Sequence, residues 1–244
     1  MDNTENKPNF TLNTPTAIIV AGLIIAGAIV LTNTPSSTRG KIIGAVAGSE
    51  IDLEKPIHKL LGLNSNEFKK CLESEEIAER VETQYQDGVR AGVEGTPGSV
   101  VIVGENTYSL PGAQPIENIR TLIDGVLAGQ TWPNENINVA PVGQDDYIFG
   151  NPEAEIKIVE FSDLECPFCK SFHVTLHQVV QEYDGKVAWI YRHFPIDSRH
   201  PKADAEAVAV ECAGKLGGNE MFWKYIDKLF EVTPSNNGFD LKFL

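Results

Sequence analysis

Glu155-Ile-Lys-Ile-Val-Glu-Phe-Ser-Asp-Leu-Glu-Cys-Pro-Phe-Cys169 is the stretch whose reading decides the fold. The run Glu155 to Phe161 reads as a buried strand and Ser162 to Glu165 as a turn. Lys170 to Tyr183 reads as a helix. A Cys-x-x-Cys pair at a strand–turn–helix junction places the first thiol at a helix N-terminus. There the helix dipole and unpaired backbone N–H groups stabilise a thiolate, and a cysteine pKa can fall from about 8.5 to roughly 3.5–7.5. This is the chemistry of thiol–disulfide exchange.

Downstream, Val187 to His193 reads as a strand. Ala203 to Leu216 is a helix with Ala205, Val208, Ala209, Cys212 and Leu216 on one face. Phe222, Tyr225, Ile226, Leu229 and Phe230 stripe another helix, and Phe239 to Leu244 is the approach to a further one. Upstream, Ile51 to Leu63 is weakly helical. Asn64 or Ser65 caps a helix carrying Phe68, Cys71 and Leu72, and Ser74 to Arg90 is a Glu-rich helix. Gly95-Thr96-Pro97 leads into a strand at Ser99 to Val103, which forms a hairpin with Thr107 to Leu110. Ile116 to Leu127 is an amphipathic helix. Residues 131–146 are a polar linker without periodicity, which sets a boundary between a 50–130 half and a 147–244 half.

These pieces resemble the DsbA-like branch of the thiol:disulfide oxidoreductases, which have the thioredoxin fold with a helical insertion. The resemblance rests on Val159 to Cys169, on Tyr191-Arg-His-Phe-Pro195 with His200-Pro201, and on Gly95-Thr96-Pro97 ahead of a strand. It implies that Pro97 is cis and packs beside the thiols. It further implies that Thr96 lines a client groove with Pro167 and Phe168, and that Glu160 is a buried acid relaying protons to Cys169. A surface glutamate at the strand edge is the competing reading of Glu160. In such an enzyme Cys166 is the exposed attacking sulfur and Cys169 its buried partner. The order departs from the family, since the cis-proline half precedes the Cys-x-x-Cys half. An α/β thioredoxin-like fold in permuted order is therefore expected, with both halves assembled in one chain. Exchange of halves between chains and a rearranged, inert fragment are the alternatives.

Cys71 and Cys212 each lie on an apolar helix face. They are either two buried free thiols or a structural disulfide, the pairing that leaves Cys166–Cys169 intact. His173 and His177 follow Cys169 at i+4 and i+8. A zinc or copper site built with the two motif cysteines is a rival reading, but such a helix spreads those four groups too far for one ion. Solvated or groove-lining histidines are expected instead, with no metal ligand.

A formal net charge of -14 argues against nucleic acid and anionic membrane surfaces as partners. Ala17 to Leu31 is apolar and uncharged, so residues 17–33 read as a transmembrane anchor between a disordered 1–16 segment and a 34–49 linker, with a cleaved secretory signal and a glycine-rich core helix as the competing readings. Lys7 against Arg39 and Lys41 weakly favours the opposite orientation by the positive-inside rule. The cysteine chemistry outweighs one residue of bias and places the domain outside the cell membrane. The expected activity is single-pass, membrane-anchored disulfide exchange with client proteins, oxidase ahead of isomerase and reductase. It needs no dissociable cofactor, but it needs a redox partner that the sequence does not name.

Overall fold

Sheet order explains the architecture. The computed structural model describes residues 53–244, and five strands there form one sheet in the order β2-β1-β4-β5-β3. The strands are β1 (Gly98–Val103), β2 (Asn106–Pro111), β3 (Tyr147–Gly150), β4 (Ile156–Ser162) and β5 (Val187–His193). The helices are α1 (Ile57–Leu60), α2 (Ser65–Leu72), α3 (Glu75–Arg90), α4 (Ile116–Leu127), α5 (Pro167–Glu182) and α6 (Ala203–Val232). β4 and β5 run parallel at the centre and are covered on both faces, hence their near-continuous apolar runs.

Both halves read from the sequence contribute strands to this sheet. β1 pairs antiparallel with β4 in the register Gly98↔Phe161 and Ser99↔Glu160. Antiparallel pairing puts the start of β1 beside the end of β4. Thr96-Pro97, just before β1, is thereby delivered to the Cys-x-x-Cys turn just after β4. At the other end of the chain, the Leu244 carbonyl accepts from His58, with Nδ1 at 2.7 Å. The helical block at 57–60 and the last residue are thus neighbours.

One face of the sheet packs on α1, α2, α4, α5 and α6, through Ile156, Ile158, Trp189 and Tyr191. The other packs Val159, Phe161 and Ile190 with Phe194 against Tyr85 of α3 and against Ile137, Val139 and Val142. α3 approaches so closely that a Cβ at Gly88 would lie 2.5 Å from the Phe194 ring. Residues 131–146 carry no helix or strand, yet they are packed down as a strap. The buried Arg192 bonds Asp87 of α3 at 2.6 Å and Asp146 at 2.9 Å, and the Ala140 N–H donates to Asp87 at 2.8 Å. Arg192 is therefore a fastener between helix, strand and strap.

Several elements differ from the sequence reading. α5 begins at Pro167 rather than Lys170, because a proline at the first helical position needs no N–H partner. Only one turn, Ile57–Leu60, forms where residues 51–63 read as weakly helical. β3 is too short for a periodic signal and pairs as an edge strand with β5. The two C-terminal helices run together as α6 across a kink at Gly218, where φ is 72°. Asn64 caps α2, accepting from the N–H groups of Asn66 and Glu67 at 2.9 and 3.2 Å. Cys71 on α2 and Cys212 on α6 are joined as a disulfide across 141 residues.

The 1–16 segment, the 17–33 anchor and the 34–49 linker lie outside the described residues. Among the described residues no helix is long and apolar enough to cross a membrane.

Candidate active site

Cys166 is the N-cap residue of α5, and both motif cysteines are free thiols. The Thr96-Pro97 peptide is cis, and the Thr96 carbonyl lies 3.4 Å from Cys166 Sγ. Pro97 is buried, while Thr96 is half-buried beside the thiol. Cys166 is less open than an exposed attacking sulfur, at 5% exposure against 0% for Cys169. The Thr96-Pro97 loop covers it. What remains open is flanked by Pro167 and by Phe168, which is 65% exposed.

The two thiols have opposite electrostatics. Cys166 is pulled down to about 6, chiefly by a hydrogen bond from the Cys169 thiol, with further help from the Cys169 N–H, Thr96 and the Phe168 N–H; burial opposes them. Burial pushes Cys169 well above the ordinary thiol range, and the Cys166 sulfur adds to this. The Asp163 N–H donates to Cys169 Sγ at 3.4 Å. At neutral pH Cys166 is the thiolate and Cys169 the thiol.

This split has a pH signature. A depressed folded pKa stabilises the reduced protein in full above the ordinary thiol value near 9, and the gain is lost as pH falls through about 6. Between those limits the reduced form should gain on the Cys166–Cys169 disulfide form by at most about 1.4 kcal/mol per pH unit, less for solvent screening. Alkylation of Cys166 by iodoacetamide, followed against pH, should show a midpoint near 6. A midpoint at the ordinary thiol value would show that the helix end does not activate this sulfur.

Glu160 is fully buried in the central strand, on the face that carries Ile158, Trp189 and Tyr191. The surface-glutamate reading is thereby set aside. Neither carboxyl oxygen has a hydrogen-bond partner, and burial raises the group to about 8. It also acts electrostatically on Cys169. An acid that is largely neutral at pH 7 is thus buried near enough to the Cys169 thiol to raise it electrostatically.

The turn before the thiols is fastened by residues to which the sequence reading gave no role. The Asp163 carboxylate accepts from the N–H groups of Glu165 and Ile196, both at 2.8 Å, and meets His200 Nδ1 at 2.9 Å. Asp163 and His200 both stand in the stretches that carry the resemblance, but nothing local pairs residues 37 apart. Glu165 is buried, and its carbonyl accepts from the Asn236 N–H at 2.8 Å while its carboxylate accepts from the Asn237 N–H. Beside it, burial and Glu165 itself raise Glu206 to about 10. Arg192 and His193 are taken up in the packing of the fold. Arg192 is held in ion pairs, and burial drives His193 down to about 3.

The histidines do not converge on the thiols. Among the described residues, the group of three side chains close enough to share a metal ion is His173, His177 and Asp227, without a cysteine. Nor are they solvated or groove-lining: His173 is buried and His177 half-buried beneath α6. The rival zinc or copper site with the motif cysteines is not assembled.

Comparison with known proteins agrees with this geometry. A family model described as a DSBA-like thioredoxin domain matches residues 47–124, and one described as thioredoxin matches residues 143–239. The chain is 34% identical over 85 residues to Na(+)/H(+) antiporter NhaA 1 of Mycolicibacterium gilvum, covering 35% of this chain and 13% of that protein. It is 34% identical over 103 residues to Na(+)/H(+) antiporter NhaA 3 of Salinispora tropica, covering 40% and 15%. The chain therefore spans only a small part of these curated relatives. Among solved structures, Pseudomonas aeruginosa DsbA2 is 34% identical with a TM-score of 0.38, over 41% of this chain and 54% of that one. Each half is thus similar to thioredoxin-type domains, the first to the DSBA-like one, and the two halves meet at the thiol pair.

Proposed function

We propose that this chain is a membrane-tethered, extracytoplasmic thiol:disulfide oxidoreductase that exchanges disulfides with client proteins through Cys166 and Cys169. The observation that carries the reading is the divided thiol pair: a lowered Cys166 at a helix N-terminus, beneath Thr96, above a raised and buried Cys169. The uncharged 17–31 stretch supports a tether. The Cys71–Cys212 disulfide, remote from the redox pair, fits an oxidising compartment.

In the oxidase direction, a client thiolate attacks Cys166 Sγ of the Cys166–Cys169 disulfide. The Cys166–Cys169 bond breaks, a client–Cys166 bond forms, and Cys169 leaves as a thiolate that takes up a proton. In this reading neutral Glu160 supplies that proton. The second client thiol, as thiolate, then attacks the client sulfur of the mixed disulfide. A client disulfide forms and Cys166 departs as a stabilised thiolate. Two electrons pass from client to enzyme, and a redox partner must accept them to restore the disulfide. Thr96 and the exposed Phe168 flank the sulfur where the client strand lies.

The low pKa of Cys166 favours the reduced enzyme, which makes its disulfide oxidising. That puts oxidase ahead of reductase. The test is to equilibrate the full chain in glutathione buffers of graded poise, trap the thiols by alkylation and read Cys166–Cys169 by mass spectrometry. One reversible two-electron transition in monomers is expected, at a potential less negative than about −200 mV. A midpoint near −270 mV would reverse the direction. A transition absent, or confined to dimers, would sink the single-chain enzyme.

A further inference from the structure

We propose that His173 and His177 of α5, with Asp227 of α6, form a binding site for a divalent transition-metal ion of the zinc class, separate from the thiol pair. His173 Nε2 and His177 Nε2 lie 2.7 and 2.8 Å from Asp227 Oδ1 and 3.1 Å from each other. Three donor atoms from two helices thus converge on one small triangle. A tetrahedral ion with N and O ligands at about 2.0–2.2 Å spans ligand–ligand edges of about 3.3–3.5 Å. Each edge needs to widen by less than about 1 Å. The half-exposed side chains of His177 and Asp227 have room to do so.

The donor set is chemically selective. Two imidazoles and one carboxylate suit zinc, copper, iron or nickel, whereas magnesium and calcium call for oxygen ligands throughout. Three protein ligands leave the fourth position open. That position faces solvent, since the Asp227 and His177 side chains are 44% and 21% exposed while His173 is buried. An ion enters from that side and exchanges there.

The ligands are held in place by packing. His173 packs edge-to-face with Trp189 at 4.9 Å and at a tilt against Phe230 at 4.8 Å, and His177 packs edge-to-face with Phe149 at 4.3 Å and Trp189 at 5.3 Å. Trp223 closes the cage at 6.4 and 6.2 Å from the two histidines. This wall lowers the local dielectric and limits rotamer freedom. It supplies no acceptor to His173 Nδ1, which is buried without a hydrogen-bond partner. Outer acceptors of that kind commonly strengthen a site by about 10–100-fold, so this ion is bound reversibly and at lower affinity than in a closed structural centre.

The thiols take no part. Cys169 Sγ accepts from the Asp163 N–H, and Cys166 Sγ faces Thr96. The site therefore stands whether or not the exchange reading does. An ion here would tie the middle of α5 to the second arm of α6.

The experiment uses the full chain, stripped of metal, with Cys166–Cys169 oxidised so that no free thiol remains. Zn²⁺ is titrated by calorimetry. Co²⁺ is followed by its visible absorption and by quenching of the fluorescence of Trp189 and Trp223. One ion per chain is expected, with quenching that saturates together with the absorption. His177→Gln and Asp227→Asn should each weaken binding by at least about 10–100-fold. Both positions are partly exposed, and an unchanged glutathione transition in each variant reports an intact fold. Absence of saturable binding, or binding undiminished in both folded variants, would overturn the proposal.

Discussion

Replacing Cys166 by serine is expected to abolish disulfide exchange, lowering the rate at least about a thousandfold, whereas Cys169→Ser should hold clients as mixed disulfides. The asymmetry follows from the helix end. Cys166 is the sulfur with a remaining opening to solvent, and its thiolate is favoured at neutral pH. No neighbouring group replaces it as nucleophile. Cys169 is fully buried and held as a thiol. Without it, a client attached to Cys166 has no internal thiol to displace it. The measurement is incubation of each reduced variant with a disulfide-bonded peptide, whose S–S bond the Cys166 thiolate opens as the second peptide sulfur leaves as a thiolate, followed by non-reducing mass spectrometry. A mixed disulfide should accumulate in Cys169→Ser and none should form in Cys166→Ser. Equal trapping at either sulfur would refute the assignment of roles.

Opening the Cys71–Cys212 link should lower stability by about 2–5 kcal/mol without moving the potential of Cys166–Cys169. The bond closes a loop spanning 141 residues, so it removes a large part of the freedom of the unfolded chain. It fastens α2, ahead of the cis-proline strand, to α6, beyond the thiol helix. Urea unfolding of Cys71→Ser with Cys212→Ser, compared with the parent at one redox poise, reads the loss. If both cysteines were free in the native protein and the variant equally stable, the staple would be disproved. If the potential moved with it, the bond would be part of the redox machinery.

Much of this molecule was legible locally. Strand, turn and helix around Cys166–Cys169 follow from an apolar run, a polar turn and a helical stripe, and the helix begins where Pro167 allows. Asn64, the hairpin after Pro97 and the helix at 116–127 were equally plain, because caps, turns and i, i+3, i+4 spacing act over a few residues. Glu160 shows where this ends. β4 is buried on both faces, so alternation carries no signal, and only packing shows that its carboxyl shares a face with Ile158 and Trp189. Asp227 shows the same for the histidines. The sequence set His173 and His177 four residues apart on one helix, but their shared partner Asp227 comes from 50 residues beyond His177.

Element identity, the thiol pair and the kinship of both halves were thus written in short-range pattern. Tertiary structure alone decided that β1 pairs with β4, that Thr96 covers Cys166, that Asp163 meets His200, and that residues 131–146 are strapped down by Arg192. The physical reason is distance along the chain. Local sterics and hydrogen bonding choose each element within a turn or two, whereas a partner tens of residues away is chosen by burial and complementarity once the chain has closed.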